Sequence, residues 1–376
     1  MSDYPISPFT RFWTSDTPLP LELGGELPAY TLAFRTWGEL TAQGDNAVIV
    51  CHALTGSADA ETWWADLFGA GKAIDPTRDF VVCSNALGSC YGSTGPASAD
   101  PSGRRWSARF PRLTIRDQVR AQMALADALG VRRIKLVIGG SMGGLQTLEW
   151  ALLDADRVES IAVIAASASH SAWCVTWSET QRMAIRCDPK FRGGEYPQHD
   201  APHDGLGVAR AIAMATYRSA GSLERRYGRD NGAEVFGSQA KAPEQFAVQN
   251  WVAHHADSFV RRFDANSYMA LINAMDQHDV GRGRGGVEAA LASITQPALV
   301  ISISSDALYV PAEQEYLFDM LPNARLVEVA SPHGHDGFLI DAVHMEPSIR
   351  EFRGTPMAGQ HHAILNNVAE VATYAE

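Results

Sequence analysis

The stretch IKLVIGGSMGGLQTLEWALL, Ile134–Leu153, decides the fold. Ile134–Ile138 is an apolar run bounded by glycine and reads as a buried strand. LQTLEWALL has a helical pattern, and between the two Gly139-Gly140-Ser141-Met142-Gly143-Gly144 leaves room only for a sharp turn. A strand–turn–helix junction of this kind forces Ser141 into a backbone conformation that costs about 1–3 kcal/mol. It is tolerable only where the neighbours lack bulk, hence Gly139 and Gly143. The Ser141 hydroxyl then stands at the C-terminal edge of a sheet, at the start of a helix whose dipole favours developing negative charge. That placement makes Ser141 a nucleophile candidate and the amide of Met142 an oxyanion donor. A purely structural glycine turn is the bland alternative, and the strand and helix on either side disfavour it.

Outward from this point, short apolar runs alternate with amphipathic stretches. Tyr30–Trp37, Ala47–Cys51, Phe80–Ser84, Ile161–Ala165, Ala298–Ser302 and Leu326–Val329 read as further strands. TIRDQVRAQMALADALGV reads as a helix with Thr114 as N-cap, Asp117 three residues on, and Gly130 as the stop. The alternation implies a mainly parallel sheet flanked by helices on both faces. From about Ser171 to Gly286 the rhythm breaks, with no buried-strand run and with helical pieces such as GLGVARAIAMATYR and SYMALINAMDQH. The expected organisation is a core domain from 1–170 and 287–376, with a helical cap inserted over 171–286. The run Gly281-Arg282-Gly283-Arg284-Gly285-Gly286 reads as a solvated return linker, with phosphate binding the less favoured alternative. The tail after Phe352 is poor in core signals and packs as an accessory helix or stays loose.

A serine hydroxyl needs a base and an orienting acid. On a strand–GxSxG–helix scaffold, the α/β-hydrolase fold, these partners follow in the order Ser, Asp/Glu, His. The acid candidate is Asp306, where the strand ALVISISS runs into a loop; Asp276 and Asp279, inside the insertion, are weaker. The base lies in SPHGHDGFLID, where His333 and His335 compete. His335 is preferred because Asp336-Gly-Phe-Leu begins a helical pattern, leaving His335 in the loop before it. The second oxyanion donor is expected from the loop after AVIVC, His52-Ala53-Leu54-Thr55-Gly56, through the amide of Leu54. His52 reads as a residue that shapes this loop. Trp173 and Trp177 read as core aromatics, with shaping of the cap or acyl pocket the less favoured alternative.

Five blocks go beyond what a generic hydrolase requires: FVVCSNALGSCYGSTGP, IGGSMGGLQTLEWA, HALTG, RFDANSYM and HGHDGFL. With these, the chain resembles the homoserine O-acetyltransferase family from about residue 10 to about residue 352. The resemblance implies a ping-pong reaction in which Ser141 takes an acetyl group from acetyl-CoA and passes it to the hydroxyl of L-homoserine. The product, O-acetyl-L-homoserine, serves methionine synthesis. It also implies Arg210 and Tyr217, seven residues apart on one cap helix, as readers of the amino-acid acceptor. Arg210 would clamp its carboxylate, Asp336 would meet its ammonium, and Thr55 would lie near it. Acetyl-CoA enters as co-substrate and no cofactor is bound permanently; a homodimer through the cap helices is expected. The cap segment SAWCVTWSETQRMAI departs from the form common among bacterial members. Relatives that acylate serine or use succinyl-CoA keep those alternatives open, as does a plain esterase or thioesterase with water as acceptor.

Composition narrows the rest. A net charge of −12 over 376 residues disfavours nucleic acid or an anionic membrane as partner. Apolar runs fall far short of the roughly 20 residues that span a bilayer, and no secretory signal is visible, so the expected location is the cytoplasm. The five cysteines form no CxxC pair, which argues against a disulfide framework and a metal cluster. Cys51 and Cys83, inside strands, read as inert buried thiols.

Overall fold

The computed structural model describes residues 4–240, 242–354 and 361–362. The strands are β1 (Arg11–Ser15), β2 (Leu19–Pro20), β3 (Glu26–Leu27), β4 (Tyr30–Trp37), β5 (Ala47–Cys51), β6 (Phe80–Ser84), β7 (Ile134–Gly140), β8 (Ile161–Ile164), β9 (Ala298–Ile303), β10 (Ala324–Val329) and β11 (His361–His362). Helices α1 (Ala60–Trp63), α2 (Ile115–Ala128) and α3 (Met142–Leu153) precede β8. Six more, α4 (Ala172–Cys187), α5 (His203–Tyr217), α6 (Ala220–Tyr227), α7 (Gly232–Phe236), α8 (Ala247–Val260) and α9 (Ala265–Asp276), lie between β8 and β9 together with α10 (Val287–Ala292). The chain closes with α11 (Pro311–Met320), α12 (Gly337–Ile340) and α13 (Ala342–Gly354).

Among the described residues, nine strands form one sheet in the order β1-β4-β6-β5-β7-β8-β9-β10-β11. The pairs β1/β4 and β4/β6 are antiparallel; from β6 to β11 every pair is parallel. The centre is apolar on both faces because helices cover both. Along β5, Ala47, Ile49 and Cys51 join one core cluster while Val48 and Val50 join the other. The β7 strand lies near the middle, between β5 and β8, so its C-terminal end opens at the centre of the sheet edge. Helix α2 starts on a capping box in which the Thr114 side chain accepts from the Asp117 amide and the Asp117 carboxylate accepts from the Thr114 amide. This cap contributes about 1 kcal/mol.

Two expectations need correction. The Gly281–Gly286 run is not wholly a solvated linker: Gly283, Gly285 and Gly286 are exposed, but Arg284 reaches a buried acid. Both Arg284 and Arg116 pair with Glu149 of α3, Arg284 at 2.7 Å and Arg116 at 3.2 Å, and the Glu149 side chain is 2% exposed. The Arg282 carbonyl accepts from Arg116 at 3.1 Å. Burial raises the pKa of Glu149, but Arg284, His278 and Arg116 outweigh it and hold the carboxyl below its usual range. Trp173 is not a core aromatic either: it is 50% exposed, with its indole N–H donated to the Ala307 carbonyl at 2.7 Å, while Trp177 is partly buried against the core. The expectation for the tail lies outside the described residues at 355–360 and from 363 onward.

Candidate active site

Ser141 sits between β7 and α3 with φ 56° and ψ −125°, a conformation L residues avoid. The turn closes only because its glycines are bare. A Cβ on Gly139 would stand 2.3 Å from the Gly143 carbonyl oxygen, and one on Gly143 would stand 2.1 Å from that of Cys51. The second approach seats the start of α3 against the end of β5. It brings the amide of Met142 and the turn from Ala53 to Gly56, which contains Leu54, to one edge of the sheet.

Three side chains meet in a line at that edge. Asp306 leaves the loop after β9, where its Oδ1 accepts the amides of Leu308 at 2.8 Å and Tyr309 at 3.0 Å. His335, in a single 3-10 turn after β10, donates Nδ1–H to Asp306 Oδ2 at 2.7 Å. The ionised carboxylate can only accept, which fixes the tautomer and leaves Nε2 to receive the Ser141 hydroxyl proton across 2.8 Å. The rings of Tyr217, Tyr309 and Phe338 flank the imidazole at 5.7, 5.4 and 5.3 Å. Burial lowers the pKa of His335, but the charge and hydrogen bond of Asp306 outweigh it and hold it above the ordinary 6.5. Of the other candidates, His333 faces Ser222, Asp276 is tied to His170 and Arg182, and Asp279 accepts from the Gly281 amide.

His52 is fully engaged in its loop. Its Nε2 accepts from the Ala86 amide at 2.9 Å, its Nδ1–H is donated to the Ala53 carbonyl at 2.7 Å, and burial pushes its pKa down to about 4. Ala86 belongs to SNALGSCYGSTGP, and that block is a buried brace: Asn85 accepts from the Ala58 amide and donates to the Tyr91 carbonyl. The block RFDANSYM does similar work. Arg262 donates to the Thr55 carbonyl at 3.1 Å and to the Tyr91 hydroxyl. Asp264, with no exposed side-chain surface, accepts from Arg105 at 2.6 Å and from Tyr196 at 2.8 Å. The structure thus ties Thr55 into this brace through its carbonyl.

Arg210 and Tyr217 share α5, with the Arg210 guanidinium 5.6 Å from the Tyr217 ring and 5.0 Å from that of Phe259. Nε and Nη1 of Arg210 are buried and have no hydrogen-bond partner among the described residues. Asp336, next to His335, lies 3.8 Å from Arg218, whose side chain is 9% exposed. Burial raises the pKa of Asp336, against the pull of His335, Arg210 and Arg218. A cation and a carboxylate therefore stand beside the Ser141–His335 pair. Arg218 and Tyr309 are not legible as site residues in the sequence, since neither lies in a motif around the nucleophile or the base and each meets its partner, Asp336 or His335, only through the fold. Among the described residues, no group of three His, Cys, Asp or Glu side chains could hold a metal ion, and no helix is long and apolar enough to cross a membrane.

Sheet, elbow and hydrogen-bonded line define an α/β-hydrolase-fold protein, and a family profile for the alpha/beta hydrolase fold matches residues 46–342. A homoserine O-acetyltransferase of Nostoc punctiforme is 50% identical over 356 residues, which is 93% of this chain and 97% of that protein. Among solved structures, the homoserine O-acetyltransferase of Bacillus anthracis superposes with a TM-score of 0.84 at 24% identity, over 94% of this chain and 100% of that one. Esterase E22 superposes with a TM-score of 0.83, also at 24% identity, over 92% of this chain and 99% of its own. At such identities the two structures speak for the fold alone. The chain belongs to the homoserine O-acetyltransferase family.

Proposed function

We propose that this chain transfers an acetyl group from acetyl-CoA to the side-chain hydroxyl of L-homoserine through an acetyl-Ser141 intermediate. The observation that carries the reading is the buried Arg210, whose Nε and Nη1 have no hydrogen-bond partner among the described residues and which lies over the ring of Tyr217 that flanks His335, with Asp336 next to His335 in the chain. A hydrolase that hands its acyl group to water has no use for such a pair, whereas a zwitterionic acceptor needs both charges.

In the first half-reaction Ser141 Oγ attacks the thioester carbonyl carbon as its proton passes to His335 Nε2. Asp306 holds the imidazole and stabilises its cation. The carbonyl oxygen becomes an oxyanion that the amides of Met142 and Leu54 receive, each such donor contributing about 3 kcal/mol. Collapse breaks the carbon–sulfur bond, and the CoA thiolate takes the proton back from His335. In the second half-reaction Arg210 binds the acceptor carboxylate bidentately while Asp336 takes its ammonium, with Tyr217 and Thr55 bordering it. The acceptor hydroxyl then gives its proton to His335 and attacks the acetyl carbon. Release of O-acetyl-L-homoserine returns the proton to Ser141.

The test is CoA release from acetyl-CoA with and without L-homoserine, alongside intact mass after a quench. Acceptor-dependent CoA release and a single acetyl increment at Ser141, absent in Ser141→Ala, are expected. CoA release at one rate regardless of acceptor would assign the site to hydrolysis instead.

A further inference from the structure

Both half-reactions pass through a tetrahedral oxyanion, so whatever sets the Leu54 amide acts on each of them. Leu54 follows β5 in a turn closed by the Gly56 amide, which donates to the Ala53 carbonyl at 2.8 Å. The Ala53 carbonyl also accepts from His52 Nδ1–H at 2.7 Å, and His52 Nε2 accepts from the Ala86 amide at 2.9 Å, so that ring is itself fixed. A trans peptide directs its N–H opposite to its C=O. With the Ala53 carbonyl turned toward His52 and Gly56, the Leu54 N–H faces the other way. These bonds settle the near side of the turn. Its far side, the Thr55 carbonyl, is held by Arg262 Nη1 at 3.1 Å. Arg262 belongs to the helical insertion. It lies between α8 and α9, its amide donates to the Phe259 carbonyl at 3.0 Å, and its guanidinium stands 5.1 Å from the Phe259 ring. The same Nη1 donates to the Tyr91 hydroxyl, a phenol whose pKa burial pushes up to about 12, which keeps it neutral. A guanidinium on a backbone carbonyl makes a charge-assisted bond, about twice as strong as a neutral one.

We infer that Arg262 is a positioning residue for the acyl transfer: reaching from the cap, it holds the Thr55 carbonyl and thereby fixes the Leu54 amide where the oxyanion forms. It touches no reacting atom. Arg262 and Arg210 share the Phe259 ring, Arg210 at 5.0 Å, yet they differ in consequence. Arg210 keeps unpartnered nitrogens for an acceptor, whereas Nη1 of Arg262 is engaged by the protein itself. Loss of Arg210 therefore bears on the acceptor step alone, and loss of Arg262 bears on both steps. The inference rests on the acetyl-Ser141 reading. It adds to that reading a residue of the insertion on which stabilisation of the oxyanion depends.

The experiment measures the two steps separately in Arg262→Met: the burst of CoA from acetyl-CoA, and the decay of pre-formed acetyl-enzyme on mixing with L-homoserine. Both rate constants should fall in parallel by about 10- to 100-fold, the scale of an oxyanion donor displaced but not removed. The burst amplitude, which counts working sites, should stay full, and the half-saturating concentration of L-homoserine in the second step should not change. Arg262→Lys, which keeps a charged donor, should recover most of the loss in both steps. Arg262→Gln, uncharged and shorter, should not, and it carries the test if the methionine variant fails to fold. Rate constants close to those of the wild type overturn the inference, as does a lysine variant no faster than the methionine one. A fall confined to one step overturns it by assigning Arg262 to the donor or the acceptor. A reduced amplitude at an unchanged rate overturns it too, because it leaves Arg262 a part in folding only. Should the wild type give no burst from either acetyl-CoA or p-nitrophenyl acetate, the acetyl-Ser141 reading itself is lost and this inference falls with it.

Discussion

Replacing Arg210 with methionine should damage acyl transfer while leaving the free protein at least as stable. Nε and Nη1 of Arg210 are buried between the rings of Tyr217 and Phe259 with no hydrogen-bond partner among the described residues, so the resting protein carries the desolvation cost of this cation without a matching gain. A methionine of similar reach removes that cost, and Tm should stay level or rise by about 1–2 °C. The acceptor complex behaves oppositely. Loss of a buried guanidinium–carboxylate contact costs about 2–5 kcal/mol. At about 1.4 kcal/mol per decade, kcat/KM for L-homoserine should fall between about 30-fold and several-thousand-fold. The acetylation half-reaction needs no acceptor, so a stopped-flow burst of CoA from acetyl-CoA should keep most of its amplitude. Thermal melting, steady-state kinetics and the burst together read all three effects. A kcat/KM for homoserine within threefold of wild type, or a Tm several degrees lower, would refute the assignment of Arg210 to the acceptor carboxylate.

Four further predictions follow from the geometry. Activity should rise with pH as His335 loses its proton, with a midpoint above 6.5; Asp306→Asn should move that midpoint down and lower kcat by about 10⁴-fold, as a pH–rate profile would reveal. Because the folded pKa of His335 is raised, its contribution to stability is complete below its unfolded pKa and is lost as pH climbs through the folded value, which urea titrations on both sides of neutrality can measure. Gly143→Ala should destabilise by about 3 kcal/mol and abolish activity, since the new Cβ meets the Cys51 backbone oxygen at 2.1 Å and no rotamer relieves a methyl clash; the denaturation midpoint checks it. Glu149→Ala should cost about 3 kcal/mol in chemical denaturation by taking from Arg284 its carboxylate partner and from Arg116 one of two, Glu22 remaining at 2.8 Å.

The sheet was legible in the sequence where strands are buried on both faces, because such strands print as unbroken apolar runs. Tyr30–Trp37, Ala47–Cys51 and Phe80–Ser84 coincide with the observed strands to the residue. Arg11–Ser15 left no such mark: it pairs only with β4, and none of its five residues is fully buried. The order Ser, Asp, His was readable because each residue lies in the connection that follows a strand, and strand-to-loop changes are local features. Charge pairing is not local. The grip of Glu149 on Arg284, and that of Asp336 on Arg218, joins residues distant in the chain, so the first was mistaken for loose linker and the second left no trace. Exposure of Trp173 was equally out of reach, since an indole that bridges to the Ala307 carbonyl looks like any other aromatic in a helical pattern.

The grip on Glu149 bears on how substrates come and go. Glu149 lies on the helix that starts beside the nucleophile, and Arg284 lies on the segment that carries the chain from the helical insertion back into the sheet. Roof and nucleophile thus share one rivet, and prising it open would strip Glu149 of one of its two guanidinium partners, Arg116 remaining, at about 1.5–3 kcal/mol. A swinging-door cycle would meet that toll on every turnover. Traffic through a standing passage, with rotamer changes in side chains such as Arg218, avoids it.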